Sequence, residues 1–139
     1  AYALEVQVPW SRRLLDGSKT IETRGYDLPF YLWRHPILLL ESPAGGGLAK
    51  HGFWAGRAVG VVVFEKSKKY QTRAEWAEDA GRHGVDPQAG REEFGWSEEE
   101  TKWGWEVERV EVWREERQRG VVLREEQRVL RSIFCVREE

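Results

Sequence analysis

Three charged residues, Lys19, Glu22 and Arg24, follow Gly17 in the stretch Pro9-Trp10-Ser11-Arg12-Arg13-Leu14-Leu15-Asp16-Gly17-Ser18-Lys19-Thr20-Ile21-Glu22-Thr23-Arg24. An ammonium, a carboxylate and a guanidinium that converge on one place can hold a polar, partly anionic ligand. Gly17 lets the chain turn sharply, so that Lys19 leaves the turn facing whatever lies beside the first strand. Side chains alternate along a strand, so Glu22 and Arg24 project to the same face. The same residues also read as a surface ion-pair network, and exposed pairs of that kind contribute little. An open, aromatic-walled cleft beside them separates the first reading from the second.

The elements that must position these residues are short. Tyr2–Val8 alternates Leu4, Val6 and Val8 with Glu5 and Gln7, the pattern of a half-buried strand. Pro9 ends it, and Trp10, Leu14 and Leu15 recur at helical spacing until Asp16-Gly17 stops the helix. Thr20–Arg24, Ile37–Glu41, Ala58–Phe64, Glu106–Trp113, Val121–Leu123 and Ser132–Val136 read as further strands. Thr72 with Glu75 forms a capping signal for a helix running to about Arg82. Ser97 with Glu100 signals a second short helix, and Glu125–Arg131 a helical turn. Five or six strands drawn from these seven segments, with two or three helices and no regular βαβ alternation, predict one α+β domain over residues 1–139. Its expected form is a small mixed β-barrel flanked by helices.

Composition agrees with a single folded domain. The chain has 139 residues, 40% of them apolar, with eight Trp, four Tyr and five Phe, which is enough bulk for a core. The longest apolar runs, Ile37–Leu40 and Val61–Phe64, are far short of the roughly 20 residues that span a bilayer. The opening residues lack the basic and apolar regions of a secretory leader, and a single cysteine cannot build a disulfide framework. An intracellular setting, cytoplasmic or nuclear, is the expectation. The net charge of −2 hides an asymmetry. Residues 1–73 carry 11 Lys+Arg against 6 Asp+Glu, whereas residues 74–139 carry 11 against 18. The Lys19–Arg24 segment lies in the basic part, which hints at an anionic ligand.

The stretch from Pro9 to Arg24, with an apolar pair before Gly17 and then Lys19, Glu22 and Arg24, resembles the signature of the ASCH domain. That family belongs to the PUA-like fold and is related to the PUA and EVE domains. Trp54–Phe64 is similar to the family's central barrel strand, Trp103–Val110 to a late strand and Ile133–Val136 to the closing one. The resemblance implies recognition of RNA, single-stranded DNA or a nucleotide. Its EVE relatives hold modified bases in an aromatic pocket. Such a ligand needs an aromatic face for stacking and a few polar groups for the base edge. Trp10, Tyr26, Trp33, Trp54 and Trp103 are candidates for the walls, each with core packing as the alternative. Ser11, Lys19, Thr20, Glu22 and Arg24 are candidates for the polar contacts.

One branch of the family deacetylates N4-acetylcytidine with a Lys, a Thr two residues before the motif Arg, and a Glu after the central strand. Lys19 and Arg24 match that pattern. Glu22 stands at the Thr position, and Ala80-Gly81-Arg82-His83 at the segment of the Glu. A Lys19–Glu22–His83 set can still do acid–base work, with Thr20, Thr23 or Ser11 to supply a hydroxyl. Cleavage of single-stranded RNA is the other enzymatic alternative, and recruitment of a protein through the acidic second half is a third reading. No cofactor is expected. His35, His51, His83 and Cys135 lack zinc spacing, so no metal is expected either. Gly45–Gly47 reads as a connection, because the Gly-Lys-Ser/Thr ending of a phosphate loop is missing. Lys66-Ser-Lys-Lys69 reads as either a phosphate contact or a solvated strand end, and Cys135 as a buried, inert thiol.

Overall fold

The computed structural model describes residues 1–44 and 53–137, with Phe53 and Trp54 described by their backbone alone. Among these residues lie β1 (Tyr2–Gln7), α1 (Trp10–Leu15), β2 (Ile21–Arg24), β3 (Ile37–Ser42), β4 (Phe53–Tyr70) and α2 (Arg73–Glu78). They are followed by α3 (Ala80–His83), β5 (Lys102–Val112), β6 (Arg119–Arg124), β7 (Arg128–Leu130) and β8 (Ile133–Cys135).

The apolar run Ile37–Leu40 shows how the sheet is layered. Ile37 and Leu39 face one core cluster with Leu4, Val6, Leu14, Val62, Phe64 and Trp105. Leu38 and Leu40 face a second, with Ala3, Ala58, Trp113, Leu123 and Phe134. A strand buried on both faces needs apolar side chains at every position, which is what the run supplies. β3 is accordingly central. It pairs parallel with β1 and antiparallel with β4. The hydrogen-bonded order is β2-β5-β4-β3-β1-β8-β7, with β6 on the first part of β4.

The expected barrel of five or six strands is corrected to a mixed eight-stranded sheet that does not close. β7 is missed by the alternation pattern because it has only three residues, two of them exposed. β4 runs well past Ala58–Phe64 at both ends, since Phe53–Ala58 finds β6 and Lys66–Tyr70 finds Lys102–Glu106 of β5. Lysines are tolerated there because they are matched. Lys66 lies 3.6 Å from Glu106 and Lys68 lies 2.9 Å from Asp79.

Where closure fails, side chains take over from strand pairing. β8 accompanies β1 only along Tyr2–Leu4, and Glu5 then donates its N–H to the Ser132 carbonyl (3.0 Å). Beyond that point β1 faces the free edge of β2. Arg24 Nη2 spans the gap to the Glu5 carbonyl (2.9 Å), and the Ser132 N–H reaches the Tyr26 hydroxyl (3.4 Å). A charged side chain laid along a short edge strand also blocks pairing with another chain.

Thr72 caps α2 as expected, accepting the Glu75 N–H at 3.2 Å. The helix does not run unbroken to Arg82. It stops at Asp79, whose carboxylate is held to the sheet by the Tyr70 hydroxyl (2.6 Å) and Lys68. Ser97–Glu100 forms a turn, with Glu100 drawn onto Arg91 at 2.7 Å. Of the helical turn expected over Glu125–Arg131 only Glu125–Gln127 forms, because Arg128–Leu130 pairs with β8 as strand β7. Tyr70, Trp76, Val85 and Ala89 pack as a third small core around α2 and α3. Cys135 is exposed. It lies opposite half-buried Tyr2 at the end of β8 and alternates outward between buried Phe134 and Val136. Gly45–Gly47 and His51 lie outside the described residues. No helix among those described is long and apolar enough to cross a membrane.

Candidate functional site

Lys19 is aimed by the end of α1. Leu14 (1% exposed) anchors the helix in the core, and Gly17 ends it in the left-handed conformation at φ +84°. The Lys19 N–H then donates back to the Arg13 carbonyl (2.9 Å), and the Thr20 N–H donates to the Arg82 carbonyl (2.8 Å). Fixed at both sides, the side chain enters the molecule. Its ammonium donates to the His83 carbonyl, lies 3.6 Å from Glu22 Oε1 and sits 5.0 Å from the centre of the Trp10 ring. Glu22 and Arg24 do share one face of β2. Glu22 Oε2 accepts from Arg24 Nη2 at 2.8 Å and from Nε at 3.2 Å.

This triad is not a solvated network, since Lys19 is 2% and Glu22 4% exposed. It lies against a cleft of about 290 Å³ at the unclosed seam, near the lower end of the ~300–1,000 Å³ typical of ligand sites. One wall is Glu5–Gln7 of β1, a second is Glu22–Tyr26, and a third comes from the segment between α3 and β5. Trp10, Tyr26 and Phe94 supply aromatic surface. Trp10 and Phe94 meet edge to face with centroids 6.2 Å apart. Five cations (Lys19, Arg24, Arg91, Lys102 and Arg131) and three carboxylates (Glu5, Glu22 and Glu100) line the space. The excess is positive.

Burial sets the electrostatics. It pushes the Lys19 pKa down; the Glu22 carboxylate opposes this and Arg24 adds to it. Burial also works against the Arg24 cation, but Glu22 and Tyr26 outweigh it and hold the guanidinium charged. Lys102 is lowered by burial, against the pull of Glu100, and donates to the Phe94 carbonyl at 2.9 Å. Glu5 is raised by burial, with Arg24 and Arg128 opposing. A buried amine whose proton is destabilised, set beside a cleft, is the kind of group found at functional sites.

No protein-family model matches the sequence, and no curated protein matches it. Solved structures do. The chain superposes on ASCH from Zymomonas mobilis with a TM-score of 0.64 at 12% identity, covering 99% of this chain and 87% of that one. Two mutants of that protein, a Tyr-to-Phe and a Ser-to-Ala substitution, each give a TM-score of 0.63 at 12% identity over 99% of this chain. They are covered over 90% and 88% of their own lengths. The fold is ASCH-like.

Within this ASCH-like fold, the cleft gathers Trp10, Lys19, Glu22, Arg24 and Tyr26 from among the sequence candidates. The others go elsewhere. The Ser11 hydroxyl is fully buried and donates to Glu41 (2.7 Å), whereas Thr20 Oγ1 accepts from Arg82 (3.2 Å). Trp103 is half-buried against the first core cluster. The Trp54 backbone pairs with Leu123 of β6, and its side chain lies outside the described residues. Trp33 donates its indole N–H to the Leu28 carbonyl (3.0 Å) and does not line the cleft. His83 contributes its carbonyl. Its ring lies flat on Trp76 at 4.9 Å, with Nδ1 accepting from the Val85 N–H (3.0 Å) and Nε2 meeting the Trp76 carbonyl (2.7 Å). That makes it a neutral imidazole with both nitrogens occupied, and burial lowers its pKa. Lys66 and Lys68 pair with carboxylates and do not line the cleft. Among the described residues no cluster of His, Cys, Asp and Glu forms a metal site.

Sequence reasoning missed Glu5, Arg91, Phe94, Lys102 and Arg131. Phe94 was hardest to find, because it reaches the cleft through a left-handed backbone at φ +65°. The following Gly95 allows it, since a Cβ there would lie 1.9 Å from the Ala89 carbonyl oxygen. The Phe-Gly pair between two stretches of regular structure is the one signal that marks the turn.

Proposed function

We propose that this chain binds a nucleotide or a single-stranded nucleic acid by taking one base into the cleft between β1 and β2. The observation that carries this reading is the buried Lys19–Glu22–Arg24 triad opening onto aromatic walls. Removing two cations and a carboxylate from water costs several kcal/mol per ion before pairing offsets it, about 20 kcal/mol in the idealised limit. A well-packed apolar set would stabilise the fold as well or better, so a triad kept at a cleft points to recognition. Trp10 and Phe94 supply the stacking surface, worth ~1–3 kcal/mol per base. Glu22 accepts from a base amine, while Lys19, Arg24 and Arg131 answer the base edge and a phosphate. The ASCH-like fold supports this assignment, as does the positive balance of the lining.

The test is fluorescence anisotropy with labelled single-stranded RNA and DNA at low salt, where electrostatic binding is strongest. Lys19→Ala with Arg24→Ala is expected to abolish binding. Phe94→Ala, at a half-exposed position, is expected to weaken it by between fivefold and a hundredfold. Unchanged affinity in both variants would overturn the placement.

A second reading, hydrolysis of a modified nucleoside or of single-stranded RNA, is favoured by the lowered Lys19 pKa. Its hydroxyl would come from Thr23 or Ser132, which line the cleft, because Ser11, Thr20 and Thr101 are engaged elsewhere. Incubation with N4-acetylcytidine and with labelled RNA separates the two readings. Turnover that disappears in Lys19→Ala would favour the enzyme.

A further inference from the structure

The carbonyl that accepts from the Lys19 ammonium belongs to His83, and the ring of the same residue holds part of a cleft wall. α3 ends at Gly84 in the left-handed conformation (φ +77°), and the Val85 N–H then donates to His83 Nδ1 at 3.0 Å. Val85 lines the cleft and opens the segment that carries Arg91 and Phe94 to it. One residue therefore joins two parts of the cleft, Lys19 through its backbone and Val85 through its side chain.

The geometry fixes the protonation of that ring. His83 is fully buried and lies flat on Trp76, with centroids 4.9 Å and planes 11° apart. Nε2 meets the Trp76 carbonyl at 2.7 Å. A carbonyl only accepts and an amide N–H only donates, so Nε2 carries the proton and Nδ1 the lone pair. A second proton would sit on Nδ1 and point at the Val85 N–H, donor against donor. The charges facing the ring are mostly of the wrong sign for it. Lys19, from the turn after α1, and Lys102, from β5, are cations, and Asp79, between α2 and α3, is a carboxylate. Burial, aided by the two lysines, lowers the pKa of the ring against the pull of the Trp76 carbonyl and Asp79.

Resting on the cleft reading above, we infer that His83 is a positioning residue for this cleft, and that a proton on its ring frees the Val85 wall and Lys19 together. The protonated ring leaves Trp76 and gives up the Val85 N–H. The His83 carbonyl then loses its fixed place, and with it the acceptor that holds the Lys19 ammonium. Ligand uptake excludes this proton, and by linkage a bound ligand holds the ring neutral.

The test follows the affinity for labelled single-stranded RNA of random sequence from pH 8 to pH 5, on the wild-type chain, His83→Asn and His83→Gln. Neither amide titrates in this range. Asn sets an oxygen near the place of Nδ1, to accept from Val85, whereas Gln reaches the Trp76 carbonyl. Wild-type affinity is expected to be level above pH 6.5 and about threefold or more lower at pH 5, since one excluded proton gives at most about tenfold per pH unit. Both variants are expected to vary by less than about twofold over the range, with His83→Asn the tighter binder. A second measurement needs no variant. The His83 ring proton, identified by its proximity to the Trp76 ring, is expected to titrate at lower pH when RNA saturates the chain. A wild-type pH profile shared by both variants overturns this inference and leaves the cleft reading standing. So does a ring titration that RNA does not move, or unfolding of the wild-type chain by pH 5 in circular dichroism. Absence of RNA binding at every pH overturns the cleft reading, and this inference with it.

Discussion

The two faces of the β2–β5–β4 edge each carry a group of ion pairs, and the groups differ in kind. On one face Lys19, Glu22 and Arg24 are packed against Trp10 and Trp105, with Lys19 and Glu22 almost sealed from water and Arg24 mostly buried. On the other, Glu106 sits between Lys66 (3.6 Å) and Arg82 (3.0 Å), and Asp79 holds Lys68 and the Tyr70 hydroxyl. Side chains of Lys66 and Arg82 are about half exposed. The outer pairs tie β4 to β5 and the α2–α3 segment to the sheet. The inner triad borders a cleft. The same residue types therefore carry different meanings, and burial beside an opening is what separates them.

The largest expected effect breaks the triad. Glu22→Ala leaves two cations buried without their carboxylate and is expected to cost about 3–5 kcal/mol in urea unfolding. Lys66→Ala, which removes an exposed partner of the outer group, is expected to cost less than about 1 kcal/mol. Similar losses from the two would show that the distinction drawn here is empty.

A smaller effect follows from His83, which lies between the groups: its carbonyl holds Lys19 and its ring packs on Trp76. Burial lowers its pKa below the ordinary 6.5. The unfolded chain therefore takes up a proton more readily than the folded one as pH falls. The stability this provides is complete above pH 6.5 and is lost as pH falls through the lower, folded-state pKa. His83→Gln, assayed by unfolding at several pH values, is expected to lose stability at neutral pH and to flatten this slope. An unchanged slope would mean that the ring is hydrated.

Much of this was legible in the sequence, and the rest was hidden for physical reasons. Alternation and the run Ile37–Leu40 predict β1 and β3, and the Trp10–Gly17 spacing predicts α1 together with the turn that aims Lys19. Those are local signals. The third wall of the cleft is not local. Phe94 and Lys102 reach it because Gly95 packs on Ala89 and because Arg91 pairs with Glu100, contacts that no periodicity records. The length of β4 is likewise set by its partners β5 and β6, so its lysine-rich end reads only as a solvated strand end or a phosphate contact until those strands are placed. Closure of the sheet was expected and does not occur. β8 leaves β1 after Leu4, and Arg24 and Tyr26 bridge the gap with side chains. The failed closure is also what creates the cleft.

The central claim is that this seam takes up a base. Titration of isotope-labelled protein with nucleoside monophosphates, followed through backbone amide resonances, tests it most directly. The account predicts saturable shifts at Gly25, Gly95, Thr101 and Ser132, which line the cleft from its separate walls. Shifts confined to Lys66–Lys69 or to Arg117–Arg119, or no shifts at all, would contradict it.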